Sequence, residues 1–151
     1  MDQSFYPFQS IGPDACRFEF VSEGVRPVRK LVLYSETGIP DVYNLALADV
    51  SQAGLADYES ISNNGDLTQI LATVAQTMRA FFADHPTASV AFTGSTAART
   101  RLYQVALARE VRAASTNFSI LGLRGNDLEP FALNRRYDGF VVTLLLNSLV
   151  S

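Results

Sequence analysis

The stretch DLTQILATVAQTMRAFFADHP, residues 66–86, has the clearest helical periodicity in this chain. Its large apolar side chains recur every three or four residues, as in an amphipathic helix that buries one face. Asp66 and Gln69 match a capping box at its start, and His85-Pro86 ends it. The pattern predicts one long helix with an inner face of Leu67, Ile70, Leu71, Val74, Met78, Phe81 and Phe82.

Short apolar segments precede this helix, and a glycine-containing turn follows each of them. They are ACRFEFV (15–21), VRKLVLY (28–34) and DVYNLALADV (41–50). In the first segment Cys16, Phe18 and Phe20 share one face, whereas its charged residues take the other, as in a half-solvated antiparallel sheet. The N-terminal third is therefore predicted to be a three-stranded antiparallel meander.

A strand, a glycine turn and a second helix are predicted after residue 86. The strand is ASVAFT (88–93), Gly94 makes the turn, and Ser95 or Thr96 caps a helix that runs to about Ala114. Two further strands follow in NFSILGLRGND (117–127) and GFVVTLLLN (139–147). If the strands on either side of the second helix are neighbours, they run parallel, and Gly94 lies beside Gly122–Gly125.

These elements predict one α+β domain over residues 1–151. Its N-terminal three-stranded antiparallel meander is followed by α-β-α-β-β, in one mixed sheet with two main helices. The 151 residues, 48% of them hydrophobic, are enough for a self-sufficient core.

Composition and charge narrow the classes of function. A net charge of −3 gives no basic footprint, which argues against nucleic-acid binding without excluding a local basic patch. The single cysteine, Cys16, cannot form an internal disulfide, and the N-terminus carries no signal segment. No apolar run is long enough to cross a bilayer. We expect a cytoplasmic protein with no membrane contact, no metal and no cofactor.

An arginine occupies an unfavourable place at the start of the second predicted helix. On the helical wheel Arg101 faces solvent, whereas Arg99 lies on the inward side and leans back over the Gly94 turn. Since helix N-termini favour anions, Arg99 needs a negative partner. Two explanations stay open. One is an anion such as a phosphate or carboxylate bound by Gly94, Ser95, Thr96, Arg99 and Arg124; the other is an internal ion pair with Asp41, Asp49, Asp127 or Asp138.

Four further residues are weaker candidates for the same site: Tyr103, Arg135, Arg136 and Tyr137. Arg135 or Arg136 lies near Arg99 and belongs to the same site only if the last strand pairs antiparallel with the strand before Gly94. Outside this region, Cys16 is interpreted as a packing residue, and His85 as a favourable residue at the negative end of the first helix. No partner for His85 is visible at motif spacing.

The segment F-x-G-S-x-x-x-R-T-R-L-Y, from Phe92 to Tyr103, is followed by N-x-x-Y-x-G-F from Asn134 to Phe140. This combination resembles a family of small bacterial proteins of unknown function. The resemblance implies a stand-alone cytoplasmic domain, and it brings no activity, substrate or site residue.

Three functions follow from these observations. The leading hypothesis is a small binding or interaction domain with an anion-recognising turn at Gly94–Arg99. Its partner is left open, with an anionic small molecule and a second copy of the chain, in a homodimer, as the candidates. The second is a nuclease or phosphotransfer-like enzyme, such as a toxin acting on RNA, with Tyr103 or Tyr137 as acid or base. The third is a structural protein that binds a partner through a sheet edge.

Overall fold

The computed structural model describes residues 5–57, 65–92, 107–111, 113, 117–132 and 135–145. Within these ranges the chain forms nine strands, one complete helix and a second helical segment at residues 107–111. The elements are β1 (Phe8–Ser10), β2 (Arg17–Glu23), β3 (Pro27–Glu36), β4 (Val42–Val50), β5 (Ala56–Asp57), α1 (Leu67–Asp84), β6 (Ser89–Phe92), β7 (Phe118–Arg124), β8 (Asp127–Pro130) and β9 (Gly139–Leu144).

One mixed sheet contains all the described strands, in the order β1-β2-β3-β4-β6-β9-β7-β8, with β5 paired to one end of β4. Only β4 and β6 pair in parallel, and every other pairing is antiparallel. The prediction of an α+β fold with a mixed sheet is confirmed. The expected meander is present as β2, β3 and β4, which pair in sequence order.

The last strand, β9, lies between β6 and β7. Phe92 of β6 pairs with Phe140, and Leu123 of β7 pairs with Gly139. The strands β6 and β7 therefore point the same way but are not neighbours, so the condition from which Gly94 was expected to lie beside Gly122–Gly125 is not met. Gly94 itself lies outside the described residues. Chain order misleads here because the last strand of the chain inserts between β6 and β7, where Phe140 and Val142 are almost completely buried.

Helix α1 buries the predicted face, but its N-terminal cap differs from the prediction. Asp66 makes no side-chain hydrogen bond to the helix backbone. Its Oδ2 atom instead accepts hydrogen bonds of 2.5 Å from the hydroxyl groups of Tyr6 and Ser22, and Asp66 is 6% exposed. The capping box with Gln69 is wrong because two buried hydroxyls occupy the carboxylate and tie the N-terminal segment to α1.

Gly122 is needed for a close contact rather than for a turn. A Cβ atom at this position in β7 would overlap the aromatic ring of Tyr137. Tyr137 is 5% exposed, and its ring is held because its hydroxyl donates to Glu129 Oε2 and accepts from the Ala132 amide, both at 3.0 Å. Moving the Tyr137 ring away from Gly122 would therefore break these hydrogen bonds.

Replacing Gly122 by alanine is expected to lower the free energy of unfolding by about 1–3 kcal/mol, since the added methyl group overpacks a held aromatic ring. Urea denaturation of the wild type and of Gly122→Ala measures the loss. The same substitution made in a Tyr137→Ala background is the control, and there it should cost little or nothing. An equal cost in both backgrounds would contradict the assigned contact.

Candidate functional site

Most of the predicted anion site lies outside the described residues. Gly94, Ser95, Thr96, Arg99 and Tyr103 all fall there, so the anion-recognising turn stays a prediction. The weaker candidates Arg135, Arg136 and Tyr137, and Arg124, are described. Because β9 pairs antiparallel with β6, the start of β9 lies beside the end of β6. This is the strand pairing on which the prediction that Arg135 and Arg136 belong to the anion site depended.

Glu129 is the centre of the charged groups at this edge. The Nε atom of Arg135 lies 2.8 Å from Glu129 Oε2, and Arg124 Nη1 lies 3.6 Å from Oε1. Tyr137 donates to the same carboxylate. Burial and the neighbouring carboxylate raise the pKa of Tyr137, which keeps its phenol protonated. We call this group the Glu129 cluster; its members are Arg124, Arg135, Tyr137 and Glu129. Within the cluster, two arginine side chains share one carboxylate.

Three of the four carboxylates considered as partners for Arg99 have other contacts. Asp49 forms an ion pair with the buried Lys30. Asp138 accepts from the Gly125 amide at 2.8 Å, and Asp41 accepts from the Thr87 hydroxyl at 2.6 Å. An internal ion pair for Arg99 would therefore have to compete with these contacts.

A different site lies where α1 ends against the sheet. It is a cavity of about 610 Å³ formed by the segment before β2, the ends of β3 and β4, and the last turn of α1. We call it the acid-lined cavity, because three of its lining side chains are carboxylates and none is a lysine or arginine. Its lining residues are Pro13, Asp14, Cys16, Tyr34, Glu36, Tyr43, Asp84 and His85.

His85 has a defined orientation in this cavity. Its ring stacks on Phe81, with centroids 4.4 Å apart and planes at 13°, and meets Tyr43 edge-on at 5.4 Å. The Nδ1 atom lies 3.1 Å from the Phe81 carbonyl oxygen. Because a carbonyl oxygen can only accept, Nδ1 carries the proton of the neutral ring, and Nε2 is left as an acceptor.

The acceptor nitrogen of His85 faces the thiol of Cys16. The Cys16 Sγ atom lies 3.9 Å from His85 Nε2 and 3.4 Å from the Asp14 carbonyl oxygen. Burial raises the pKa of the Cys16 thiol, and the negative charges of Asp14, Glu36 and Asp84 raise it further. The site therefore holds a protonated thiol beside a base, in a field of three carboxylates.

Cys16 and His85 each occupy the local setting predicted from the sequence, but their contact was not predicted. Cys16 does pack against the core, and His85 does end α1. They are separated by 69 positions, with no spacing rule between them. A sequence signal was present: the sole cysteine and the sole histidine each lie at an element boundary, Cys16 two positions after Asp14 and His85 directly after Asp84.

Comparison with known proteins shows the family of the chain. A family model described as a family of unknown function (DUF6934) matches residues 2–145, so the chain belongs to this family. No curated protein and no solved structure gives a significant match. Within the described residues, no helix has the length and apolarity to cross a membrane, and no three His, Cys, Asp or Glu side chains converge to hold a metal ion.

Removing a carboxylate from the acid-lined cavity is expected to make Cys16 more reactive. Without the charge of Glu36 or Asp84 the thiolate is less disfavoured, so the pKa of Cys16 falls and more thiolate is present at neutral pH. Alkylation by iodoacetamide at pH 7 and low salt should be roughly two- to fivefold faster in Glu36→Gln or Asp84→Asn than in the wild type.

Asp127→Asn is the matched control, because it removes one carboxylate from the hairpin of β7 and β8 at the far edge of the sheet. Its alkylation rate should equal that of the wild type. Equal acceleration in all three variants would mean that overall charge, and not the cavity, controls the thiol.

Proposed function

We propose that this protein is a small binding domain that recognises a cationic group, an ammonium or a guanidinium, in the acid-lined cavity. One observation carries the proposal. Asp14, Glu36 and Asp84 surround one cavity of about 610 Å³, a volume typical of small-molecule sites. None of the three forms an ion pair with another described residue.

The position of Asp84 supports a cationic ligand. Asp84 is the last residue of α1, and no basic residue lies in the last turn of that helix. The carboxyl end of a helix carries a partial negative charge and favours cations. An aspartate at this end is therefore electrostatically unfavourable on its own, and a bound cation would neutralise both the side chain and the helix end.

Aromatic rings beside the carboxylates favour an organic cation. Tyr43 lines the cavity and stands edge-on to His85 and to Phe81, at centroid distances of 5.4 and 5.0 Å. Aromatic faces attract ammonium and guanidinium groups, and carboxylates accept their N–H bonds. Since the described carboxylates, thiol and imidazole do not converge on one point, an organic cation fits this cavity better than a bare metal ion.

Methylguanidinium is the probe for this function. Millimolar methylguanidinium should stabilise the wild type by roughly 1.4–2.7 kcal/mol at concentrations about 10–100 times Kd, because it binds only the folded chain. The measurement is the melting temperature against sodium chloride of equal ionic strength. The double variant Glu36→Gln/Asp84→Asn should lose most of the ligand-dependent increase in Tm.

Asp127→Asn is again the matched control, and it should respond to methylguanidinium as the wild type does. Sodium acetate tests the sign of the preferred charge. A ligand-dependent increase that survives in the double variant, or one given equally by acetate, would contradict a cation site in this cavity.

The anion-recognising turn is a second candidate function. The pairing of β9 with both β6 and β7 favours it, because the ends of β6 and β7 lie at the same edge of the sheet as the start of β9, to which the segment with Arg135 and Arg136 leads. Arg124 and Arg135 lie beside Glu129 at this edge, and the side chain of Arg136 is exposed.

Phosphate should raise the melting temperature of the wild type if this second site is present. Arg99→Ala and Arg136→Ala should each reduce the increase, since each removes one cation from the edge. Arg29→Ala is the control, because Arg29 pairs with Glu19 in the meander. An undiminished phosphate effect in folded Arg99→Ala would contradict the anion site.

A further inference from the structure

The contact between Cys16 and His85 is not explained by cation binding. Three carboxylates and an aromatic ring are sufficient to hold an ammonium or guanidinium group. The Cys16 Sγ atom lies 3.9 Å from Nε2 of the His85 imidazole, so the cavity also contains the side chains of a nucleophile and its base. The hydrogen bond from Nδ1 to the Phe81 carbonyl oxygen and the stacking on Phe81 hold that base in place.

Without a bound cation, the carboxylates of the acid-lined cavity keep the Cys16 thiol protonated and therefore weakly reactive. Asp14, Glu36 and Asp84 each disfavour the thiolate and raise the pKa of Cys16. No lysine or arginine side chain lines the cavity beside the thiol. Burial raises the pKa of both Tyr34 and Tyr43, so their phenols stay neutral, and Tyr34 is further bonded to the Thr77 hydroxyl at 2.8 Å.

We infer that Cys16 and His85 are a nucleophile–base pair whose thiol becomes reactive toward carbon electrophiles when a cation occupies the acid-lined cavity. This inference rests on the proposed cation site. A bound cation beside Asp14, Glu36 and Asp84 offsets their charge and favours the thiolate, in the same direction as neutralising the carboxylates by substitution. Cys16 is thereby assigned as a covalent modification site that is sensitive to the ligand.

The chemical step is balanced within the site. His85 Nε2 accepts the proton of the Cys16 thiol and becomes an imidazolium. The sulfur then forms a bond to the electrophilic carbon, and the leaving group departs with the electron pair of its own bond to that carbon. With iodoacetamide the products are the carboxamidomethyl thioether, iodide and protonated His85, and no oxidant or reductant is needed.

Cys16 is the single cysteine of the chain, so thiol chemistry on the intact protein reports on this site alone. The experiment titrates the thiolate ultraviolet absorbance against pH, and measures the iodoacetamide rate at pH 7, with and without saturating methylguanidinium. Sodium chloride keeps the ionic strength equal. The titration midpoint should move to lower pH, and the labelling rate should rise about three- to tenfold.

Tetramethylammonium, which has no N–H bonds, separates charge from hydrogen bonding. A downward shift of the midpoint with either cation supports the inference. A midpoint that is unchanged or higher, under conditions where methylguanidinium raises Tm, overturns the inference and leaves the cation site standing. Absence of any increase in Tm overturns both.

His85→Gln tests the base. Its thermal response to methylguanidinium should persist, but with the cation bound, labelling at pH 7 should be slower than in the wild type, because the imidazole no longer accepts the thiol proton. His85→Asn is the second variant, and it guards against a local packing effect of glutamine. Cys16→Ser supplies the background for labelling. Cation-bound labelling rates in both folded histidine variants that equal the wild-type rate would overturn the role of His85.

Discussion

The ring of Phe81 holds the end of α1 against the sheet, and the candidate site depends on this contact. It stacks on Tyr34 of β3 with centroids 4.4 Å apart, and on His85 at the same distance on the helix side. Its carbonyl oxygen accepts both the backbone N–H and the Nδ1–H of His85, at 2.9 and 3.1 Å. One fully buried residue therefore sets the depth of the helix, the direction of the imidazole and its tautomer.

Two charge arrangements of opposite sign lie on different parts of the sheet. In the Glu129 cluster, one carboxylate is shared by two arginines and a buried phenol. In the acid-lined cavity, three carboxylates surround a thiol and an imidazole and form no ion pair with a described residue. In the Glu129 cluster, the negative charge is therefore paired with arginine side chains of the same chain. The acid-lined cavity leaves uncompensated negative charge at a helix end, where a cation is favoured.

Local sequence patterns were sufficient to predict the helices and strands whose apolar residues recur with a clear period. The helix at residues 66–86 and the strands that became β2, β3 and β4 were identified because side-chain burial in them follows a period of 3.6 or 2. The short strands β1, β5 and β8 were missed, since they have no apolar pattern of their own and exist through pairing with a longer neighbour. Asp66 was expected to cap α1, whereas hydroxyl groups 44 and 60 positions away occupy its carboxylate.

The acidic composition, the α+β element order and the buried face of α1 could all be predicted from local sequence patterns. The role of Gly122 could not. Only the tertiary structure decided that β9 separates β6 from β7, that Gly122 makes room for Tyr137, and that Cys16 meets His85 among three carboxylates. The physical reason is the range of the interactions. Helical and strand periods act between residues a few positions apart, whereas strand order and the convergence of side chains depend on which distant surfaces bury each other.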